Sequence, residues 1–304
     1  ALQVIDAIDR RGSFAAAGKE LHKVPSTISY SVAELERGLG VQLFERVGAR
    51  ALLTDAGRAL LQEGRHLLRA ARDLELRVQR VASGWEAELS LAVDALFTPS
   101  LLAPLVGEFC GVSDQTRLRL SQEALSGTWE ALLDRRADLL VAAAGEGPAG
   151  GGYVAEPLGT LGFVFVVAPG HPLARIKGVV RREHLAEHRA VAIADSARRL
   201  LPRTVGLLAG QATLTMPDML GKYRLQCAGL GFGFLPEMFV APALRIGRLV
   251  QVDVEEGKPE ETFWLAWRSG EQGQALAWWQ QRLRQPGVLD YWAVQMGQWL
   301  HAMA

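Results

Sequence analysis

The chain has 304 residues, 49% of them hydrophobic and 22% charged, with Lys plus Arg and Asp plus Glu equal at 33 each. Such a composition belongs to a folded protein of two or three domains and excludes a chain dominated by disorder. Bulk charge argues for no polyanionic partner, and within residues 1–57 seven Arg and Lys are matched by seven Asp and Glu; contact with nucleic acid would have to rest on where charges sit.

The chain opens at Ala1 inside a helical pattern of Leu2, Ile5, Ala7 and Ile8, as expected if a few residues precede it. Ser13 is a good N-cap for an Ala-rich helix ending at Leu21. After His22-Lys23, Pro25 sits where a helix can begin without losing a needed N–H, and Ile28, Val32, Leu35 and Leu39 form one apolar stripe. If that stripe packs on the preceding helix, Ser26, Thr27 and Tyr30 lie near the N-terminal end on the exposed side, where they can meet base edges. Glycine at 38 and 40 ends the helix, and residues 43–54 read as a short basic hairpin with Gly48 at its tip, Arg46 and Arg50 flanking it.

Gly12-Ser13-Phe14, Ala16-Ala17, Leu35-Glu36, Leu39-Gly40-Val41, Leu43-Phe44-Glu45-Arg46 and Leu53-Thr54-Asp55-Ala56-Gly57 together resemble the winged helix-turn-helix of LysR-type transcriptional regulators. Lys23-Val24-Pro25 departs from that pattern, which bears on the DNA sequence read and not on the fold. The resemblance implies that Ser26, Thr27 and Tyr30 face bases of double-stranded DNA and that Arg46 and Arg50 grip phosphate.

From Thr54, a candidate cap, a proline-free run carries Leu60, Leu61, Leu67, Leu68, Leu74 and Val78 as a helical seam. About twenty-five residues of helix span on the order of 40 Å and need a partner. Packing within its own chain is one reading. The family resemblance implies the other, a linker helix for dimerisation, with a tetramer beyond it and a two-fold-related operator.

After Gly84-Trp85 strands alternate with helices: strands at 89–93, 117–121 and 138–143, helices at 99–109 and around 129–133, then a glycine-rich connection at 146–152 and an apolar strand at 163–168. A second set follows: strands at 190–194 and 213–216, a helix at 217–228, a strand at 262–268 and a helix at 274–283. The alternation predicts a parallel, doubly wound sheet. Ala168-Pro169-Gly170-His171-Pro172-Leu173-Ala174 and the run from Ala228 to Pro236 resemble the effector-binding domain of the same family, two α/β lobes joined by crossing strands as in type 2 periplasmic binding proteins. The implied organisation is an α/β multidomain chain: winged helix-turn-helix at 1–57, linker helix at 58–84 and effector-binding domain at 88–304, with lobe I about 88–167 and 264–304 and lobe II about 168–263. The aromatic tail 286–304 reads as a stripe docked on the domain surface, or as a subunit contact.

Little else suggests chemistry. Gly229, Gly231 and Gly233 have the wrong spacing for a dinucleotide loop, and close backbone packing is the expected role. His184 and His188 at i, i+4 lack a third ligand and read as a solvated helical face. There is no nucleophile elbow, phosphate loop or signal peptide, and Cys110 and Cys227 lie in no metal-ligand spacing, so a reduced, cytoplasmic, non-enzymatic protein without metal or cofactor is expected.

A small-molecule site is expected beyond the carboxyl ends of strands, in the loops 94–100, 125–129 and 195–197. There Thr98, Ser100, Ser126, Thr128 and Ser196 can orient a carboxylate or hydroxyl, or act as helix caps, while Phe97 and Trp129 can contact an apolar body, for an organic or aromatic acid effector. The expected function is a transcriptional regulator whose DNA contacts respond to that ligand, with RNA polymerase a further candidate partner and no membrane contact. The rival classes are a solute-binding or enzymatic α/β protein with a helical appendage, and an architectural DNA binder that ignores ligands.

Overall fold

The computed structural model describes residues 1–47, 50–203, 208, 210–270 and 272–303, with side chains at all of these except 46, 47, 73, 76 and 77. The chain divides into two compact units, Ala1–Gln79 and Arg80–Ala304.

The first unit begins with α1 (Leu2–Arg11), α2 (Phe14–Glu20) and α3 (Pro25–Leu39), followed by strands β1 (Phe44–Val47) and β2 (Arg50–Leu53) and the long helix α4 (Asp55–Ser83). Gly12 ends α1 at φ 72°, and the Ser13 hydroxyl then accepts from Ala16 N at 3.2 Å to start α2. Pro25 opens α3, whose Ile28 and Val32 are sealed against α1 and α2. The apolar stripe stops short of expectation: Leu35 is half-buried and Leu39, one residue before the Gly40 cap, is 48% exposed. β1 and β2 pair antiparallel from Phe44↔Leu53 to Val47↔Arg50, and the expected tip at Gly48-Ala49 lies outside the described residues. Thr54 caps α4 by accepting from Gly57 N at 3.0 Å, and Leu61 closes a small core with Ile5, Leu43 and Leu53.

The second unit runs β3 (Glu88–Asp94), α5 (Ala103–Cys110), β4 (Arg117–Glu123), α6 (Ser126–Leu133), β5 (Leu139–Ala144), β6 (Tyr153–Leu161), β7 (Phe163–Val167), α7 (Arg182–Ala186), β8 (Ala190–Ile193), β9 (Thr213–Met216), α8 (Met219–Cys227), β10 (Gly233–Pro236), α9 (Glu237–Arg245), β11 (Val250–Gln251), β12 (Glu261–Arg268), α10 (Gln274–Leu283) and α11 (Val288–Met303). The helix expected over 99–109 is split: Pro99–Leu102 is a 3-10 turn, and Pro104, which has no N–H to donate, is tolerated only because α5 starts beside it.

The first lobe is a five-stranded sheet in the order β4-β3-β5-β12-β6. It is mixed and not wholly parallel as expected, because β12 returns from the second lobe antiparallel to both β5 and β6. The second lobe holds β10-β7-β11, antiparallel, and the parallel pair β8-β9, joined through the bridge Ala190↔Phe232. Residues 163–167, assigned to the first lobe from sequence, are the middle strand of this second sheet, so the first crossing falls at Gly162. Close approach explains two of the three glycines, since a Cβ on Gly231 would collide with the Arg189 carbonyl and one on Gly233 would come within 3.0 Å of Val191 O; Gly229 is required instead by its φ of 73° after α8.

The aromatic tail is core. In α11 Leu289, Trp292, Met296 and Leu300 are buried with Phe97, Phe239 and Phe263, and Gly297 lets the helix cross α9, a Cβ there meeting Met238 O at 2.5 Å. Tyr291, at 61% exposure, faces out.

Candidate DNA-reading face and ligand cavity

In the first unit Ser26, Thr27 and Tyr30 all lie exposed on the opening turns of α3, Tyr30 at 61%, opposite the buried Ile28 and Val32. The neutral charge count conceals an uneven arrangement. Arg10 pairs with Asp6 and Glu20, Arg11 with Glu20, Arg58 with Asp55, and Arg65 with both Asp6 and Asp9. Lys19, Lys23, Arg37 and Arg50 are exposed and have no ion-pair partner among the described residues. These four are exposed cations that a phosphate backbone can claim. Arg50 extends from β2 on the face opposite the buried Ala51 and Leu53; the Arg46 side chain lies outside the described ones.

In the second unit a cavity of about 350 Å³ opens between the lobes. Asp94, Leu125, Glu261 and Phe263 approach it from the first lobe; Phe163, Ile193, Asp195, Met219, Lys222 and Phe234 approach it from the second. The three loops singled out from sequence do reach it, through Asp94, Leu96, Leu125 and Asp195.

None of the seven side chains selected within those loops lines it. Phe97 is 1% exposed and packs edge-on against Phe239, Phe263 and Trp292. The Thr98 and Ser100 hydroxyls bond each other at 2.9 Å where they start the 3-10 turn. Phe97 and Thr98 border instead a separate hollow of about 80 Å³ with Met296 and Trp299. Ser126 donates to Leu201 O and Thr128 to Asp94 Oδ2. Trp129 donates through Nε1 to Ala144 O, and Ser196 donates to Glu123 Oε2 at 2.6 Å. These polar groups are consumed by structural partners, next door for Thr98 and Ser100 and distant in sequence for Ser126, Thr128 and Ser196.

The cavity's own charges were missed. Asp94 accepts from Leu96 N and Thr128, yet burial, assisted by the Glu261 charge, pushes its carboxyl up to about 6. Glu261 sits between Arg203 at 2.8 Å and Lys258 at 2.7 Å, and these partners outweigh burial to hold its carboxyl below the usual range. Lys258 also lies 3.2 Å from the Phe163 ring centroid. Lys222 is half-buried on α8, on the side that carries Met219 and Gln226; burial and the neighbouring Lys258 charge push its ammonium down to about 7. A lysine at i+3 from one buried residue and i−4 from another was the available signal.

The segment 195–203 fastens the second lobe to the first. Asp195 accepts from Ser126 N, Gly127 N, Ala197 N and Arg203 N, which together overcome burial and keep its carboxyl below the usual range. Glu130 accepts from the backbone N–H of Arg198, Arg199 and Leu200. Among the described residues no three His, Cys, Asp or Glu side chains are arranged to hold a metal. His184 serves as a cap, accepting from Arg181 N, and His188, beyond the end of α7, packs on the buried His171 ring.

This architecture has known counterparts. Residues 1–58 match the model of the bacterial regulatory helix-turn-helix protein, lysR family, and residues 82–286 match the LysR substrate binding domain. The chain belongs to the LysR family. It is 38% identical over 282 residues to the HTH-type transcriptional regulator YeeY of Escherichia coli strain K12, covering 93% of this chain and 91% of that protein. Identity to PunR, an HTH-type transcriptional regulator of the same strain, is 35% over 277 residues, covering 91% and 89%. The fold is similar to that of full-length CbnR, solved in complex with its target DNA, with a TM-score of 0.58 at 20% identity over 93% of this chain and 97% of that one. As a LysR-family member the chain is a DNA-binding transcriptional regulator with an effector-binding domain, and not an enzyme. None of the described helices of this LysR-family regulator is long and apolar enough to cross a membrane.

Proposed function

We propose that this LysR-family regulator binds a two-fold-related operator as a dimer and that an organic acid in the interlobe cavity shifts its DNA contacts. Base edges meet Ser26, Thr27 and Tyr30, and phosphates meet Arg50 and Arg46 on the wing. Residues 1–57 act as the reader, 58–84 as the linker helix and 88–304 as the effector domain. On α4, Leu67, Ala71, Leu74, Val78 and Val81 are exposed at steps of four, three, four and three, the spacing of a coiled-coil seam. A second copy of α4 covers that seam.

The observation that carries the effector half is the cavity, 350 Å³ of largely apolar space with buried charge at its wall. Such a site suits a single-ring ligand with one polar end. The ligand acts through different affinities for two arrangements of the protein. Footprinting on the regulator's own promoter region, with and without a panel of aromatic and aliphatic acids, tests the reading. The expected result is a protected two-fold site whose extent or affinity changes with at least one acid. Protection that no acid alters supports an architectural binder, and absence of protection at low salt overturns the DNA half.

A further inference from the structure

The charge inventory of the cavity leaves one group unanswered. Asp195 spends both oxygens on four backbone N–H groups at 2.7–3.1 Å, including Ser126 and Gly127 at the start of α6. Arg203 is held by Ala144 O at 2.9 Å and Glu261 Oε1 at 2.8 Å, and Lys258 by Glu261 Oε2. Asp94 accepts from Leu96 N and Thr128. The Lys222 ammonium alone among these groups has no hydrogen-bond or ion-pair partner among the described residues. The charged group that most perturbs it, Lys258, has the same sign.

We propose that Lys222 selects the effector: its ammonium holds the ligand's single anionic group, while the α6 N-terminus is closed to that group by the chain's own Asp195. The inference rests on the cavity being the effector site and adds which end of it reads charge. An ammonium half-buried in a largely apolar cavity without a counter-ion is unfavourable, and a ligand carboxylate relieves it. The self-supplied carboxylate at α6 already satisfies the N–H groups that an anion would otherwise seek. Phe163, Phe234 and Phe263 line the cavity as an apolar bed for the ligand's body. The selected class is a monocarboxylate on a flat or branched apolar body. A second anionic group on the ligand would face Asp94, Asp195 and Glu261, whose acceptors are already filled.

The carboxylate recognises only the protonated amine. Because burial holds Lys222 near 7, anion affinity falls up to tenfold per pH unit above that value, and binding at pH 8 takes up a proton. Asp94, Asp195, Arg203, Lys258 and Glu261 are the other charged groups lining the cavity; Asp94, pushed up to about 6, is mostly ionised by pH 7, Asp195 and Glu261 are held below the usual carboxylate range, and burial pushes the Lys258 ammonium down.

The test is calorimetric titration of the full chain with benzoate and with benzamide, which has the same shape without the charge. Wild type is expected to bind benzoate at least tenfold more tightly than benzamide. Lys222→Met should lose that preference while keeping benzamide affinity, which reports an intact cavity, and Lys222→Arg should keep the preference. Adding Asp195→Ala to Lys222→Met should restore benzoate binding by freeing the Ser126 and Gly127 N–H groups. Equal affinity of wild type for both probes, or an unchanged benzoate preference in Lys222→Met, overturns the role of Lys222 alone. A double variant no better than Lys222→Met overturns the role of Asp195. Binding of neither probe at millimolar concentration brings down the effector-site reading, and this inference with it.

Discussion

Thr128 donates its hydroxyl to Asp94 Oδ2 at 2.9 Å, with the threonine fully buried and the aspartate 3% exposed. The bond satisfies a carboxyl group that burial has made hard to ionise, pushing it up to about 6 from an ordinary 3.8. An acid whose folded value is raised binds more protons in the folded state than in the unfolded one. Stability therefore falls as pH rises from about 4 to about 6 and is flat above that. A shift of about two units corresponds to at most about 3 kcal/mol. Asp94→Asn keeps an acceptor for Leu96 N and has no charge to bury, so its stability relative to wild type should rise between pH 4 and pH 7. Urea denaturation of both proteins at these two pH values checks this; a stability difference independent of pH would count against it.

Gly57 is a steric requirement and not a conformational one. It lies in the first turns of α4, where an added Cβ would collide with Leu43 O and approach Leu53 Cδ2 to 2.9 Å. The obstructing carbonyl is backbone that also accepts from Thr54 N, so it cannot step aside cheaply. Gly57→Ala should destabilise the first unit by about 2–3 kcal/mol through overpacking. Gly38, in α3, has nothing within 4 Å of its missing Cβ, and Gly38→Ala should stabilise by about 0.5–1 kcal/mol. Thermal melts of the two variants should shift in opposite directions, and shifts of the same sign would refute the contrast.

The winged helix-turn-helix was legible because its signals are local. The Ser13 cap, the Pro25 start and the Ile28/Val32 spacing each act within four residues, and each is found in the structure. β6 was hidden because it is an edge strand, which tolerates Pro157 and Gly159 inside it and leaves every residue but Leu161 at least partly exposed. Pro242 within α9 concealed that helix in the same way. The mixed direction of the first sheet depends on β12 crossing back from the second lobe, a pairing no nearby residue announces. The cavity illustrates the same divide. Its loops could be located from topology, whereas the fates of Thr128, Ser196 and Ser126 depended on partners 34 to 75 residues away, such as Thr128 on Asp94 and Ser126 on Leu201. Hydroxyls drew attention by type and were already occupied; Lys222 resembled an ordinary surface lysine.

Arg50 and Thr27 should fail in different ways. Arg50 is an exposed cation without an ion-pair partner among the described residues, at the start of β2. Replacing it with alanine should weaken binding to every DNA sequence and reduce the slope of log affinity against log salt by about one. Thr27 lies exposed on the first turn of α3, and its replacement should relax preference at one operator position while leaving the slope unchanged. Salt titrations of both variants on operator and unrelated duplexes separate the two roles. Equal slopes for wild type and Arg50→Ala would refute the phosphate contact.

The seam on α4 gives the remaining prediction. From sequence the apolar residues of this helix formed one stripe, but its beginning is already used: Leu61 is 1% exposed inside the first unit, and a Cβ on Gly64 would lie 2.7 Å from Leu2 Cδ2. Further along, Leu67, Leu74, Val78 and Val81 are 61–84% exposed on a helix of 29 residues. Four large apolar side chains in heptad register on one exposed face are costly for a lone chain and match the knobs of a two-stranded coiled coil. Leu74→Glu should place like charges against each other at the centre of that seam and convert the proposed dimer to a monomer of half the mass in sedimentation analysis. Because two linked readers bind a two-fold site far more tightly than one, operator affinity should fall on the order of 100-fold while single-reader contacts persist. An unchanged mass for Leu74→Glu would mean that subunits meet elsewhere.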